Sequence, residues 1–362
     1  MTADSRNAHP YHMHQAILAQ PEAFVRVVGR NEDTVDEFAS RIASCERVFL
    51  AGIGTSHHAT LVGEHLMRAY GGGPDGRAVH SFDLALYGPE LRSGDCLVAV
   101  SHRGAKRYTA LALEKAREQG CQTALVTGQG GGGEGRADVV FRTVAQEKSS
   151  AHTVSYTSAV AVLALLAGRL GYHRTGSTTL PDELLAEDIP EALRAALDTE
   201  EQVVALAREH AGRRRIWLLG GGPSAVTASE TALKIKETSY LQAEGMPTET
   251  MLHGPFQCVE ADDLFVLIAP SGAARERTLE VAELVEEVAA SYIIVGDEMT
   301  EARPGAAGLV LVPEVPEPFS ALSCLVPLQL FSYHLALVRG TNPDSFRVDD
   351  PRFARADVSG RL

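Results

Sequence analysis

Apolar positions along the chain follow two alternating patterns. Short β-branched runs, RVFLAGIGTS (47–56), DCLVAVSHRG (95–104), TALVTG (123–128) and ADVVFRTV (137–144), read as strands covered on both faces. Between them lie stretches with apolar residues three and four apart, such as ALALEKAREQG (110–120), which read as amphipathic helices. The same order then returns as RIWLLGGGPS (215–224), DLFVLIAPSG (263–272), YIIVGD (292–297) and GLVLVPEV (308–315), with a helical pattern over 275–291. Arg47 pairs with Arg215 and Asp95 with Asp263, both at an offset of 168 residues, and the later pairs keep roughly that spacing. Each half closes on an apolar, helix-like stretch, 153–169 and 320–338.

Solenoid repeats run about 20–50 residues, so this much longer period marks a duplicated domain. Strands alternating with helices imply a parallel sheet covered on both faces. The expected fold is therefore α/β, with two tandem doubly wound parallel-sheet domains. The organisation read from the pattern is a lead-in segment at 1–36, a first domain at 37–172, a linker and connecting helix at 173–204, a second domain at 205–340 and a tail at 341–362. Glycine runs at Gly71–Gly73 and Gly130–Gly133 are expected in surface loops.

Composition narrows the partners. The 362 residues carry 33 Lys plus Arg against 47 Asp plus Glu, a formal charge of −14. That balance argues against nucleic acid, whose backbone is gripped by clustered cations. It also means that an anionic substrate must be held by local groups against the overall field. No uninterrupted apolar run reaches the ~18 residues of a membrane span, and the N-terminus MTADSRNAHPYHMHQ lacks a signal-peptide pattern. Cys45, Cys96, Cys121, Cys258 and Cys324 lie far apart without CxxC spacing and read as reduced core residues, so a cytoplasmic location is expected.

In open parallel sheets, ligands sit beyond the carboxyl ends of strands at helix N-termini. Gly52-Ile53-Gly54-Thr55-Ser56 is one such turn, followed by His57 and His58. Its glycines do not fit GxGxxG and no GK[ST] follows, so a phosphate or sugar phosphate is the better ligand; the alternative is that the glycines serve turn geometry alone. The second turn, Ser101-His102-Arg103-Gly104-Ala105-Lys106, places two cations where the helix dipole already favours an anion. Its alternative is a solvated basic loop. The second copy reads Ala269-Pro270-Ser271-Gly272 here, without those cations, so the copies are not equivalent. His9, His12 and His14 have no carboxylate or cysteine at ligand spacing, and neither a metal nor another cofactor is expected.

Together with SETALKIKETSYLQAEGMPTETMLHGP (229–255), MHQAILAQP (13–21) and VPLQLFSYHLALVRGT (326–341), these turns resemble the sugar isomerase (SIS) domain family, in particular the isomerase half of the glutamine–fructose-6-phosphate amidotransferases. The resemblance implies a phosphosugar substrate and roles by position. Glu237 would move a proton between C1 and C2 of the open-chain sugar, and His253 would assist ring opening from a partner subunit, which implies a homodimer with shared sites. Lys234 would lie near the substrate. Gly54, Thr55, Ser56, Ser101, His102, Arg103 and Lys106 would line the phosphate and sugar site, with Glu147 and Ser150 on a neighbouring loop. Read without the family, Glu237 is a helix-surface partner of Lys234 or Lys236, and His253 a loop-packing histidine.

Departures matter as much. The family's second turn reads Ser-x-Ser-Gly-x-Thr, whereas Arg103 and Lys106 stand at its second serine and its threonine. They fit tighter phosphate capture, a differently placed carboxylate, or a different sugar. The family's Schiff-base lysine in the tail is replaced by Ala356, beside Arg355, and no lysine follows Lys236. MTADSRNA is not the Met-Cys start of a glutaminase half, so release of ammonia from glutamine is not expected. Three functions follow: isomerisation with deamination of a glucosamine-6-phosphate-like substrate, cleavage of a fructosamine 6-phosphate, or sensing of a sugar phosphate without turnover.

Overall fold

A computed structural model describes residues 6–73, 76–104, 106–177 and 180–356. The first residues of MTADSRNA, Ala105 of the second turn and the last six of the tail lie outside the described residues.

The chain begins with α1 (His12–Leu18) and α2 (Gln20–Ile42). The first sheet and its helices follow as β1 (Val48–Gly52), α3 (Thr55–Tyr70), β2 (Gly76–His80), α4 (Ser81–Leu86), β3 (Cys96–Val100), α5 (Arg107–Glu118), β4 (Gln122–Gln129), β5 (Val139–Ala145) and α6 (Val154–Thr175). A π-helical turn at Leu184–Asp188 leads into α7 (Ile189–Leu197) and α8 (Glu200–His210). The second sheet is built from β6 (Ile216–Gly220), α9 (Pro223–Ser239), β7 (Ala243–Pro247), α10 (Thr248–Leu252), β8 (Leu264–Ile268), α11 (Arg275–Glu287), β9 (Ser291–Asp297) and β10 (Gly308–Val312). The chain closes on α12 (Glu317–Ser323), α13 (Leu325–Val338) and α14 (Pro351–Ala356).

Both sheets are wholly parallel and have the same topology. The strand order is β2-β1-β3-β4-β5 in the first and β7-β6-β8-β9-β10 in the second. The edge strands β2 (GRAVH) and β7 (AEGMP) carry no continuous apolar run, which is why the hydrophobic pattern does not show them. Contacts group the chain into two compact bodies. One contains Ala19–Glu147 and Val154–Pro190; the other contains the lead-in up to Leu18, Lys148–Thr153 and Glu191–Arg355. The lead-in is therefore divided, because α2 packs on α6 while α1 packs on α13.

Side chains two apart on a strand share a face, and this sorts each core. Phe49, Ala51, Leu97 and Ala99 pack against Leu84, Ala112, Leu113 and Ala116 of α4 and α5. In the second body Trp217, Leu219, Phe265 and Leu267 occupy the matching positions and pack against Met251, Val281 and Val285. The duplication extends to polar detail. Arg47 Nε donates to Asp95 at 2.8 Å and lies over the Phe49 ring; Arg215 Nε donates to Asp263 at 3.3 Å and lies over Trp217. Each aspartate also accepts a backbone N–H from three residues before it, Arg92 at 2.7 Å and Glu260 at 3.1 Å.

One expectation, that of five buried cysteines, needs correction, and two others gain detail. Val154–Thr175 and Glu317–Val338 are long and apolar enough to cross a membrane, but their apolar windows are 94% and 83% buried within the protein as core helices. The glycine segments lie in surface loops as expected, with Gly72, Gly73, Gly130 and Gly132 exposed, and they are also held: the Gly132 N–H donates to the Arg103 carbonyl, and a side chain on Gly72 would meet Gly171. Cys258 is exposed, whereas the other four cysteines are buried.

Asp263 is fully buried and also accepts the Trp217 indole N–H at 2.9 Å. Asp263→Ala strands a guanidinium and an indole donor, and the expected loss is about 3–5 kcal/mol. Urea denaturation followed by Trp217 fluorescence measures it.

Candidate functional site

The strand order 2-1-3-4-5 reverses direction between its first and third strands, and ligands of such sheets bind beyond the carboxyl ends at that crevice. In the first body the crevice is flanked by the turns after β1 and β3. Gly54 has φ 59°, ψ −132°, a backbone that favours glycine, and Gly222 in the second body has φ 53°, ψ −125°. Thr55 and Ser56 form the first turn of α3, half-buried, just past β1.

The second turn is built tightly. Ser101 is buried and its N–H bonds Val126 O at 2.9 Å, continuing the β3–β4 ladder. Gly104 has φ 66°, and a side chain there would strike the carbonyl of Gly132, so the glycine run acts as the floor of this turn. Arg103 is exposed, and Lys106 caps α5 with its side chain half-buried. Burial, then the adjacent Arg103, lowers the Lys106 ammonium pKa.

His102 takes a different part from the phosphate contact expected of it. Its carbonyl accepts from the Gly128 N–H, Thr127 Oγ1 and Gln146 Nε2, and its ring Nε2 accepts the Glu147 N–H at 3.1 Å. An accepting nitrogen requires a neutral ring, and burial followed by Arg103 lowers its pKa to about 4. His102 thus holds the 146–147 segment onto the turn. Glu147 accepts the Ser155 N–H at 2.8 Å, capping α6. Ser150, expected on the same loop, belongs to the other body, where its N–H bonds Asp344 O at 2.9 Å. His57 is also held neutral, its pKa lowered to about 4 by burial and then by His80 and His58.

In the second body the equivalent crevice is filled from within. The Ser271 N–H donates to the Asp297 carboxylate, and the Ala273 N–H donates to Glu317 Oε1 at 3.0 Å. Amides that would face an anion are occupied by the protein's own carboxylates. The inequivalence of the copies, read from the loss of cations, thus has a second cause.

The expected catalytic residues lie on α9 and after α10. Lys234 is completely buried; its Nζ donates to Glu237 Oε2 at 2.6 Å and lies 3.4 Å from Glu230 Oε1, also completely buried. The Glu237 side chain keeps 21% of its surface exposed. Lys234 therefore stands behind Glu237 and sets its rotamer. The end of α9 is itself fixed: Arg339 Nε donates to Ser239 O at 3.1 Å, and Thr341 Oγ1 to Thr238 O at 2.6 Å. At 1.5 Å rise per residue, Glu237 is about 20 Å along the helix from Pro223, so it does not serve the crevice at the α9 N-terminus. His253 caps the C-terminus of α10, its side chain 77% exposed and its Nε2 3.3 Å from Glu249.

Sequence reasoning missed Glu230, although its place four residues before Lys234 on one helix was readable. It also missed Asp344, whose carboxylate accepts the N–H groups of His12 and Met13 at 2.9 and 2.8 Å, and no local signal announces it.

Two outcomes follow. Lys234→Met leaves two carboxylates, one wholly buried, without their cation; a loss of about 3–5 kcal/mol is expected by chemical denaturation. His57 and His102 have folded pKa values near 4, below the ordinary value of about 6.5. Their contribution is complete above about pH 6.5 and is lost as pH falls towards 4, because the unfolded chain then binds more protons. Melting temperature should fall across that window, and His102→Gln should flatten the fall.

The SIS domain family matches residues 41–169 and 211–339. Glutamine–fructose-6-phosphate aminotransferase [isomerizing] from Pyrococcus horikoshii is 29% identical over 341 residues, and that from Thermococcus kodakarensis 31% over 354; in both cases 94% of this chain is covered. The chain spans 57% of the length of each of these relatives. The C-terminal domain of glucosamine-fructose-6-phosphate aminotransferase from Francisella tularensis superposes with a TM-score of 0.84 at 22% identity, covering 94% of this chain and all of that one. Glucosamine-6-phosphate deaminase from Thermotoga maritima gives 0.75 at 17%, covering 93% and 98%. At these identities the structures show the fold. With both sheets matched and topologically alike, the chain belongs to the SIS domain family as a tandem member.

Proposed function

We propose that the protein is a phosphosugar isomerase that acts on an amino-sugar phosphate, converting a glucosamine-6-phosphate-like aldose to the ketose with release of ammonia. The observation that carries this reading is Glu237: a partly exposed carboxylate on α9 that accepts from the buried Lys234 ammonium at 2.6 Å. Such a group can take the C2 proton of an open-chain 2-amino aldose and return it at C1. The resulting ketose imine takes up one water and releases ammonia, so glucosamine 6-phosphate plus water gives fructose 6-phosphate plus ammonia.

The phosphate grip is assigned to Thr55, Ser56 and Ser101 in the first body, with Arg103 and Lys106 adding charge. His253 is assigned to ring opening; its exposure suits a residue that serves a partner's site, and so a homodimer. Ala356 at the family's lysine position disfavours a route through an imine to the protein. The relatives' printed activities support this substrate class, as does the fold shared with a glucosamine-6-phosphate deaminase.

A second reading, cleavage of a fructosamine 6-phosphate, is favoured by Arg103, an exposed guanidinium suited to the carboxylate of a sugar–amino-acid adduct. It uses the same proton shuttle with a larger leaving amine.

The test follows ammonia and fructose 6-phosphate from glucosamine 6-phosphate, in parallel with amino-acid release from a fructosamine 6-phosphate. Glu237→Gln should lower turnover by about 10²–10⁴-fold, the usual share of a general base, while stabilisation by the substrate persists. Undiminished turnover in that variant would remove the assigned mechanism. Stabilisation without turnover by the unaltered protein would leave the sensing function.

A further inference from the structure

The lead-in histidines acquire partners that local spacing does not show. His14 on α1 and His334 on α13 both direct Nε2 at one oxygen, Glu200 Oε1, each at 2.7 Å. The three ligand atoms lie within 4.8 Å of one another. Both histidines are 8% exposed, and the Glu200 side chain is 28% exposed, which leaves one side of the trio open. His9 completes the surroundings. Its Nδ1 lies 2.7 Å from the Tyr333 hydroxyl, and its ring centroid is 5.0 Å from that of His14 and 6.3 Å from that of His334.

Two imidazoles and a carboxylate converging from three distant segments form a donor set suited to borderline divalent metals. With bonds of about 2.0–2.1 Å, tetrahedral ligand atoms stand about 3.3 Å apart. The two 2.7 Å nitrogen–oxygen separations lie about half an ångström below that spacing, and the three atoms together fall within 4.8 Å of one another. Two donors on separate carboxylate oxygens would satisfy Glu200 as a simple hydrogen-bond acceptor. Their convergence on a single oxygen instead brings three potential ligand atoms within 4.8 Å of one another, and loss of the two bridging protons would free both ring nitrogens for a metal. The start of α8 favours a carboxylate at Glu200 through its dipole, but it does not account for two histidines there. Tyr333, bonded to one nitrogen of His9, orients that ring as outer partners do for metal-bound imidazoles.

We propose that His14, Glu200 and His334 bind a divalent ion of the zinc class, with His9 or a water as the fourth ligand. The ion ties the lead-in helix α1 to α8 and α13. The site is structural and uses none of the residues assigned to proton transfer.

The test uses full-length protein made without a polyhistidine tag and stripped with chelator. Titration calorimetry with Zn²⁺ alone should show one ion per chain and a raised melting temperature. Co²⁺ in its place should give the intense visible bands of a tetrahedral centre. Glu200→Gln, which keeps a hydrogen-bond acceptor, and His334→Gln should each weaken Zn²⁺ binding by more than about 100-fold, beyond the usual loss for an outer partner. Glu237→Gln should bind Zn²⁺ unchanged. If His334→Gln does not fold, Glu200→Gln carries the test by itself. No saturable binding, or binding that Glu200→Gln leaves intact, overturns the site and leaves a histidine–carboxylate–histidine hydrogen-bond clamp.

Discussion

An ammonium group with no exposed surface imposes a strict condition on everything around it. Lys234 meets that condition through Glu230, equally buried, and Glu237, which keeps one edge in contact with solvent. A buried cation is tolerable only if its partners stay within hydrogen-bond reach, so α9 has little freedom to turn or slide. The helix is accordingly pinned at its far end by Arg339 and Thr341, and Thr238 Oγ1 bonds Ser332 O on α13. The partly exposed Glu237 carboxylate is thus one product of a constraint that also organises the helices of the second body.

Charge is managed differently in the first body. Around its crevice, burial keeps His57 and His102 neutral, while Arg103 stands exposed beside Lys106 in the second turn. The net charge of −14 describes the whole surface, not this crevice.

Much of this was legible in the sequence, for definite reasons. The repeat could be read because Arg47, Asp95, Arg215 and Asp263 preserve a salt bridge twice, and paired charges resist drift more than apolar residues do. The Lys234–Glu237 contact followed from helical spacing. What stayed hidden depended on distant chain segments. The His102 ring reads as a ligand in a basic turn until Glu147 is seen donating to it. His14 reads as a tail residue until Glu200 and His334 arrive beside it. The strand β7 was missed because Ala243–Pro247 pairs along a sheet edge without an apolar run.

The carboxylates of Asp297 and Glu317 have a consequence for how the two copies can change. A cradle whose amides are satisfied by its own side chains is complete when nothing is bound, so its fold no longer depends on any solute. Restoring it as a receptor would require losing both acids and admitting cations together, because either loss alone leaves donors idle. Duplication gave two halves of one topology, and in the second of them the turn after β8 now carries its own acids in place of a bound solute.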